Sequence, residues 1–109
     1  MHAMKLTAPG GLDQIHLAEI EPREPGFGEI QVEIKATSLN FHDYAVVTGL
    51  IPADDGRIPM SDGAGVVTAV GEGVTTLAEG DRVLSYFFPN WAGGRPTLPD
   101  LLGVPGDHI

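Results

Sequence analysis

Glu29-Ile30-Gln31-Val32-Glu33-Ile34-Lys35-Ala36-Thr37-Ser38-Leu39 is the stretch whose reading decides the fold class. Ile30, Val32, Ile34 and Ala36 alternate with Gln31, Glu33, Lys35 and Thr37, the period of a strand with one face buried. The next ten residues change period. From Asn40 to Gly49, Phe41, Tyr44, Ala45 and Thr48 fall near one helical stripe, with Asn40 placed to cap and Gly49 to stop it. One strong strand therefore runs into a short helix.

Working outward, Gly63 to Val70 reads as a strand, Gly71-Glu72-Gly73 as a tight turn and Asp81 to Phe87 as a further strand. Upstream, Met4 to Ala8 and Gln14 to Ile20 form a hairpin across Pro9-Gly10-Gly11, stopped by the prolines of Glu21 to Gly26. Leu50 to Pro59 is expected to be an exposed loop. The 15 glycines and 9 prolines are spread between Val- and Ile-rich runs, which is the punctuation of many short strands and not a low-complexity tract. Beyond Phe88 no long regular element is expected, and the chain stops in mid-loop, as a piece cut from something longer would. The expectation is one mainly β domain over residues 1–109 with one or two short helices.

A formal charge of −9, with Lys5 and Lys35 the only lysines and no basic cluster, leaves no footprint for a phosphate backbone, so no nucleic acid partner is expected. Without cysteine there is no disulfide framework, thiolate nucleophile or Cys-bearing zinc site. No apolar run approaches the roughly 20 residues that span a bilayer, so no membrane partner is expected and a cytoplasmic location is.

Three Gly-x-Gly sequences invite a dinucleotide-binding reading, but the sixth position of the fingerprint is Gln31, Thr68 and Thr76 in turn, and none completes it. Ser61 lacks a nucleophile elbow because Pro59 stands where the first glycine belongs; Ser61 and Asp62 read as the start of a turn. Asp54 and Asp55 are neighbours expected to point apart on a solvated loop. The four histidines, His2, His16, His42 and His108, show no metal-ligand spacing. His42 is singled out because it sits in Asn40-Phe41-His42-Asp43-Tyr44, at the end of the strongest strand.

With these segments in hand, the chain resembles the N-terminal GroES-like catalytic domain of the medium-chain dehydrogenase/reductase superfamily, specifically its zinc-independent alcohol dehydrogenase-like and quinone oxidoreductase-like members. The resemblance rests on Leu6 to Leu12, Pro25 to Gly28, Ser38 to Gly49, Pro59 to Val67, Val70 to Val74 and Gly80-Asp81-Arg82-Val83, in that order and spacing. It implies a GroES-like partial β-barrel lacking the Rossmann domain. It also implies an NAD(P)H-dependent parent oxidoreductase acting on a carbonyl or an activated double bond of a small-molecule substrate, with no cofactor held by this fragment alone. Zinc-dependent members carry Cys where this chain has Asn40 and His where it has Ser61, and the cysteine-rich lobe expected after Val83 is replaced by Leu84 to Pro96, so the resemblance implies no zinc.

The same resemblance assigns roles. Asn40 would offer its amide to the substrate oxygen in place of the metal, His42 would hand over a proton from the place of the family's relay hydroxyl, with Asp43 to orient it, and Tyr44 is the reserve donor. Asn40 and Phe41 would contact the nicotinamide. The alternative is that Asn40 only caps the following turn and His42 is merely exposed. For the chain as a whole, the rival is a self-standing, non-catalytic GroES-like binding module. A barrel missing its returning strands is expected to form a homo-oligomer through its open edge.

Overall fold

The computed structural model describes residues 1–106, so His108 lies outside the described residues. β1 (His2–Leu6) and β2 (Ile15–Glu19) form an antiparallel hairpin with Leu6 opposite Ile15 and His2 opposite Glu19. A 3₁₀ turn, Leu12–Gln14, precedes β2. β3 (Ile30–Ala36), β4 (Ala64–Val70) and β5 (Arg82–Leu84) make a second antiparallel sheet in that order. Between β3 and β4 lies α1 (Phe41–Val47), and a further 3₁₀ turn covers Leu98–Leu101. The mainly β reading with a short helix holds.

The helix lies within the residues read as helical, but its buried face is not the stripe of Phe41, Tyr44, Ala45 and Thr48: Phe41 and Tyr44 are exposed, while Asp43, Ala45, Val46 and Val47 are buried. Leu6, Val46 and Val47 are buried together, with Ile15, Ile51 and Ala53 packed against them. The Gly11 N–H donates to the Val47 carbonyl at 2.7 Å, so the hairpin turn is tied to the end of the helix. With few aromatics available, this aliphatic cluster supplies the core, at roughly 1.5–3 kcal/mol for each fully buried side chain.

Two strands depart from the regular pleat. β3 and β4 shift register between Gln31 and Val32 and between Ile34 and Ala36, bulges that curl the sheet in the manner of a barrel wall. At Gly65, which faces Ile34, any Cβ would collide with the Glu33 carbonyl; at Gly71 it would collide with the carbonyl of Gly26. Backbone approach this close is possible only for glycine.

Several sequence expectations change in detail. No residue of β3 is buried: Ile30 and Val32 are half-buried, while Ile34 and Ala36 of the expected inner face are exposed. The strand foreseen over residues 81–87 pairs only through Leu84. Ser85 still donates its N–H to the Gly63 carbonyl at 2.9 Å, but beyond it β4 has no residues left to pair, and Phe87 turns instead onto His42. The loop over residues 50–59 is not wholly exposed: Ile51 and Ala53 pack on the core and Pro59 is buried. Asp54 and Asp55 do diverge. Asp55 accepts the Ala8 N–H at 3.0 Å while Asp54 lies 3.7 Å from the Arg57 guanidinium. Among the described residues no helix is long and apolar enough to cross a membrane.

Candidate active site

Asn40 is the N-cap of α1, in an extended backbone conformation (φ −107°, ψ 158°), so the chain turns from strand to helix at this residue. Its backbone N–H donates to Asp43 Oδ2 at 2.7 Å, the arm of a capping box in which the third helical residue reaches back. Asp43 is 1% exposed, and its other oxygen, Oδ1, accepts the N–H of Ser61 at 2.7 Å. Both carboxylate oxygens thus accept backbone amides. A buried carboxylate needs such donors, and here they join α1 to the segment before β4.

The Asn40 side chain completes the junction. Its Nδ2 donates to Ser61 Oγ at 3.1 Å and to Asp62 Oδ2 at 3.0 Å. An ionised carboxylate accepts only, so the Asp62 contact decides which end of the amide faces it. Asp62 also takes the Ser38 N–H at 3.0 Å, the Ser38 hydroxyl at 2.8 Å and the Thr37 hydroxyl at 3.2 Å. These donors, the Ser38 amide first and the Asn40 amide next, hold the Asp62 carboxyl down at about 2. Asp62 is an anion throughout the physiological range. It lines an open groove of about 320 Å³ with Thr37, Ser38 and Ser85.

Just before Ser61, Met60 has φ 95°, a left-handed conformation rare for a residue with a Cβ, and Gly106 packs against its backbone. Strain and a buried hydrogen-bond junction coincide at residues 60–62.

The remaining candidates split into two groups. Phe41 and Tyr44 are one turn apart, exposed, with rings 6.0 Å apart and tilted by 37°. His42 is half-buried on another side of the helix, its ring 5.1 Å from Phe87 in an edge-on arrangement at 81°. The structure therefore groups Asn40 with Ser61 and Asp62, Phe41 with Tyr44, and His42 with Phe87. Sequence reasoning missed Ser61, Asp62 and Asp43 as members of one network; the Asn-x-x-Asp spacing of a capping box was the available signal for Asp43. Nothing local marks Phe87 as a neighbour of His42.

The Asn40 amide and the Ser61 hydroxyl are bonded to each other, and among the described residues no three His, Cys, Asp or Glu side chains gather as a metal site.

The family profile of the alcohol dehydrogenase GroES-like domain matches residues 26–106, from the turn before β3 to the end of the described chain. The chain belongs to this family. Among curated proteins, a mycocerosic acid synthase-like polyketide synthase of Mycolicibacterium smegmatis is 51% identical over 77 residues, covering 69% of this chain and 4% of that protein. Among solved structures, the Escherichia coli quinone oxidoreductase complexed with NADPH superposes with a TM-score of 0.71 at 33% identity, over 78% of this chain and 26% of that one. The cobalt- and zinc-bound thermostable alcohol dehydrogenase of Pyrobaculum aerophilum gives a TM-score of 0.83 at 30% identity, over 99% of this chain and 36% of that one. The GroES-like domain is therefore related to oxidoreductases that include alcohol dehydrogenases and quinone oxidoreductases, and to a segment of polyketide synthases. It spans about a third or less of each solved relative named here.

Proposed function

We propose that this chain is the substrate-facing part of a nicotinamide-dependent oxidoreductase that reduces an activated double bond or a carbonyl without zinc. The observation that carries the reading is the Asn40–Ser61–Asp62 junction: an amide and a hydroxyl, bonded to each other, stand at the positions that the family resemblance assigns to a cysteine and a histidine ligand. Kinship with quinone oxidoreductases and polyketide synthases supports it; kinship with a zinc-bound alcohol dehydrogenase is the reason it needs a test.

A bound nicotinamide would supply the hydride; what remains for this chain is to hold the acceptor oxygen and deliver one proton. Asn40 would offer the substrate oxygen the N–H now shared with Ser61, whose hydroxyl can turn to compensate. His42 would give the proton, with Tyr44 in reserve, and Phe41 would lie against the apolar face of the nicotinamide or the substrate. Asp43 and Asp62 hold the junction and take no part in proton transfer, since each is committed to fixed donors.

The test is the natural gene product that carries this chain, assayed by NADPH and NADH oxidation against an enone, a quinone and an aldehyde, before and after exhaustive chelation. Turnover that survives chelation supports the reading. Loss of turnover restored by added zinc overturns the metal-free part, and no nicotinamide oxidation with any acceptor class overturns the whole.

A further inference from the structure

His42 is the second residue of a seven-residue helix, and two single bonds separate its ring from the backbone. A proton donor placed in this way is useful only if its ring is held within hydrogen-bond reach of the atom it serves. The carboxylate oxygens of neighbouring Asp43 accept the backbone amides of Asn40 and Ser61. One contact of the imidazole is with a ring from 45 positions along the chain: Phe87, at a centroid distance of 5.1 Å and an angle of 81°.

Phe87 is itself held. Its ring meets Phe88 edge-on at 4.8 Å and 82°, and Phe88 meets Trp91 at 6.4 Å and 70°. The Trp91 indole N–H donates to the Gly94 carbonyl at 3.2 Å, tying the outer ring to the backbone of its own turn. Edge-on pairs fix the mutual orientation of two rings because the positive rim of one meets the negative face of the other. This row of rings belongs to the segment that leaves β5 after Leu84, where the pairing with β4 has run out.

We propose that Phe87, backed by Phe88 and Trp91, is a positioning residue that sets the orientation of the His42 imidazole for proton transfer. The proposal rests on the reading of His42 as proton donor given above. Phe87 acts through His42, so its loss slows the proton step while leaving the affinity for a small acceptor in place.

The experiment uses the natural gene product with NADPH and an α,β-unsaturated ketone, comparing Phe87→Leu, Phe87→Tyr and His42→Gln. Since an edge-on aromatic pair is worth roughly one tenfold factor or somewhat less, Phe87→Leu is expected to lower kcat about 3- to 10-fold. KM should stay close to the parent value, the solvent deuterium isotope effect on kcat should rise, and Phe87→Tyr, which keeps the ring, should restore both. A merely structural role lowers the melting temperature and leaves the isotope effect alone. An unchanged kcat and isotope effect in Phe87→Leu, with kcat reduced in His42→Gln, overturns this proposal and spares the role of His42. Unchanged turnover in His42→Gln overturns both. If Phe87→Leu does not fold, Phe87→Met assayed at low temperature reads the same isotope effect and decides in the same way.

Discussion

Asp43 and Ser61 are 18 residues apart, and a single carboxylate oxygen ties them: Oδ1 of Asp43 accepts the Ser61 backbone N–H at 2.7 Å, with both residues buried. Because Oδ2 accepts the Asn40 N–H, one side chain fixes both the start of α1 and the strained turn at Met60.

Replacing Asp43 with alanine strands two backbone donors, one of them in a fully buried residue. Each buried unsatisfied group costs about 1–3 kcal/mol, so Asp43→Ala is expected to lose about 2–5 kcal/mol of stability in urea unfolding. Asp43→Asn keeps one acceptor and should lose less. Equal stability of Asp43→Ala and the parent would show that the junction is not a structural anchor.

Asp62 makes the acid limb of stability predictable. Its folded value, about 2, lies below the ordinary 3.8, so ionised Asp62 favours the folded state above pH 4. That contribution is lost as pH falls from 4 towards 2. Asp62→Asn should therefore flatten the melting temperature against pH in that window, leaving the slope above pH 5 unchanged. The same acid slope in both proteins would refute the assignment.

Two glycines separate lack of space from backbone conformation. Gly71→Ala would drive a Cβ into the Gly26 carbonyl, whereas at Gly80, with φ 93°, a Cβ meets open space. The left-handed conformation alone costs roughly 1–2 kcal/mol, so Gly80→Ala should be tolerated. Gly71→Ala should destabilise by more, to the point of poor soluble expression, as thermal melts and yields would show.

Turnover of the natural gene product separates the roles at the start of the helix. Asn40→Ala loses both junction contacts and the amide offered to substrate, so kcat and stability should fall together; His42→Gln should lower kcat about 100-fold with little change in melting temperature, the scale of a lost general acid. Parent-level turnover in both variants would assign the chemistry to residues elsewhere.

Sequence alone determined the strand Ile30–Ala36, the helix after it, the hairpin at the N-terminus and the glycine turns, because each is written in local periodicity or in a residue that only one backbone conformation accepts. In the segment Asn40 to Tyr44 the Asn-x-x-Asp spacing of a capping box was legible in the sequence. Tertiary structure decided which of its side chains do what. Asp43 stands next to His42 in the chain, yet its oxygens lie against Asn40 and Ser61, and the ring that meets His42 comes from Phe87. Neighbours along a helix diverge by about 100° per residue, so their partners are chosen by whatever the sheet and the loops bring up from outside. For Asn40 and His42 those partners include the turn before β4 and the segment after β5.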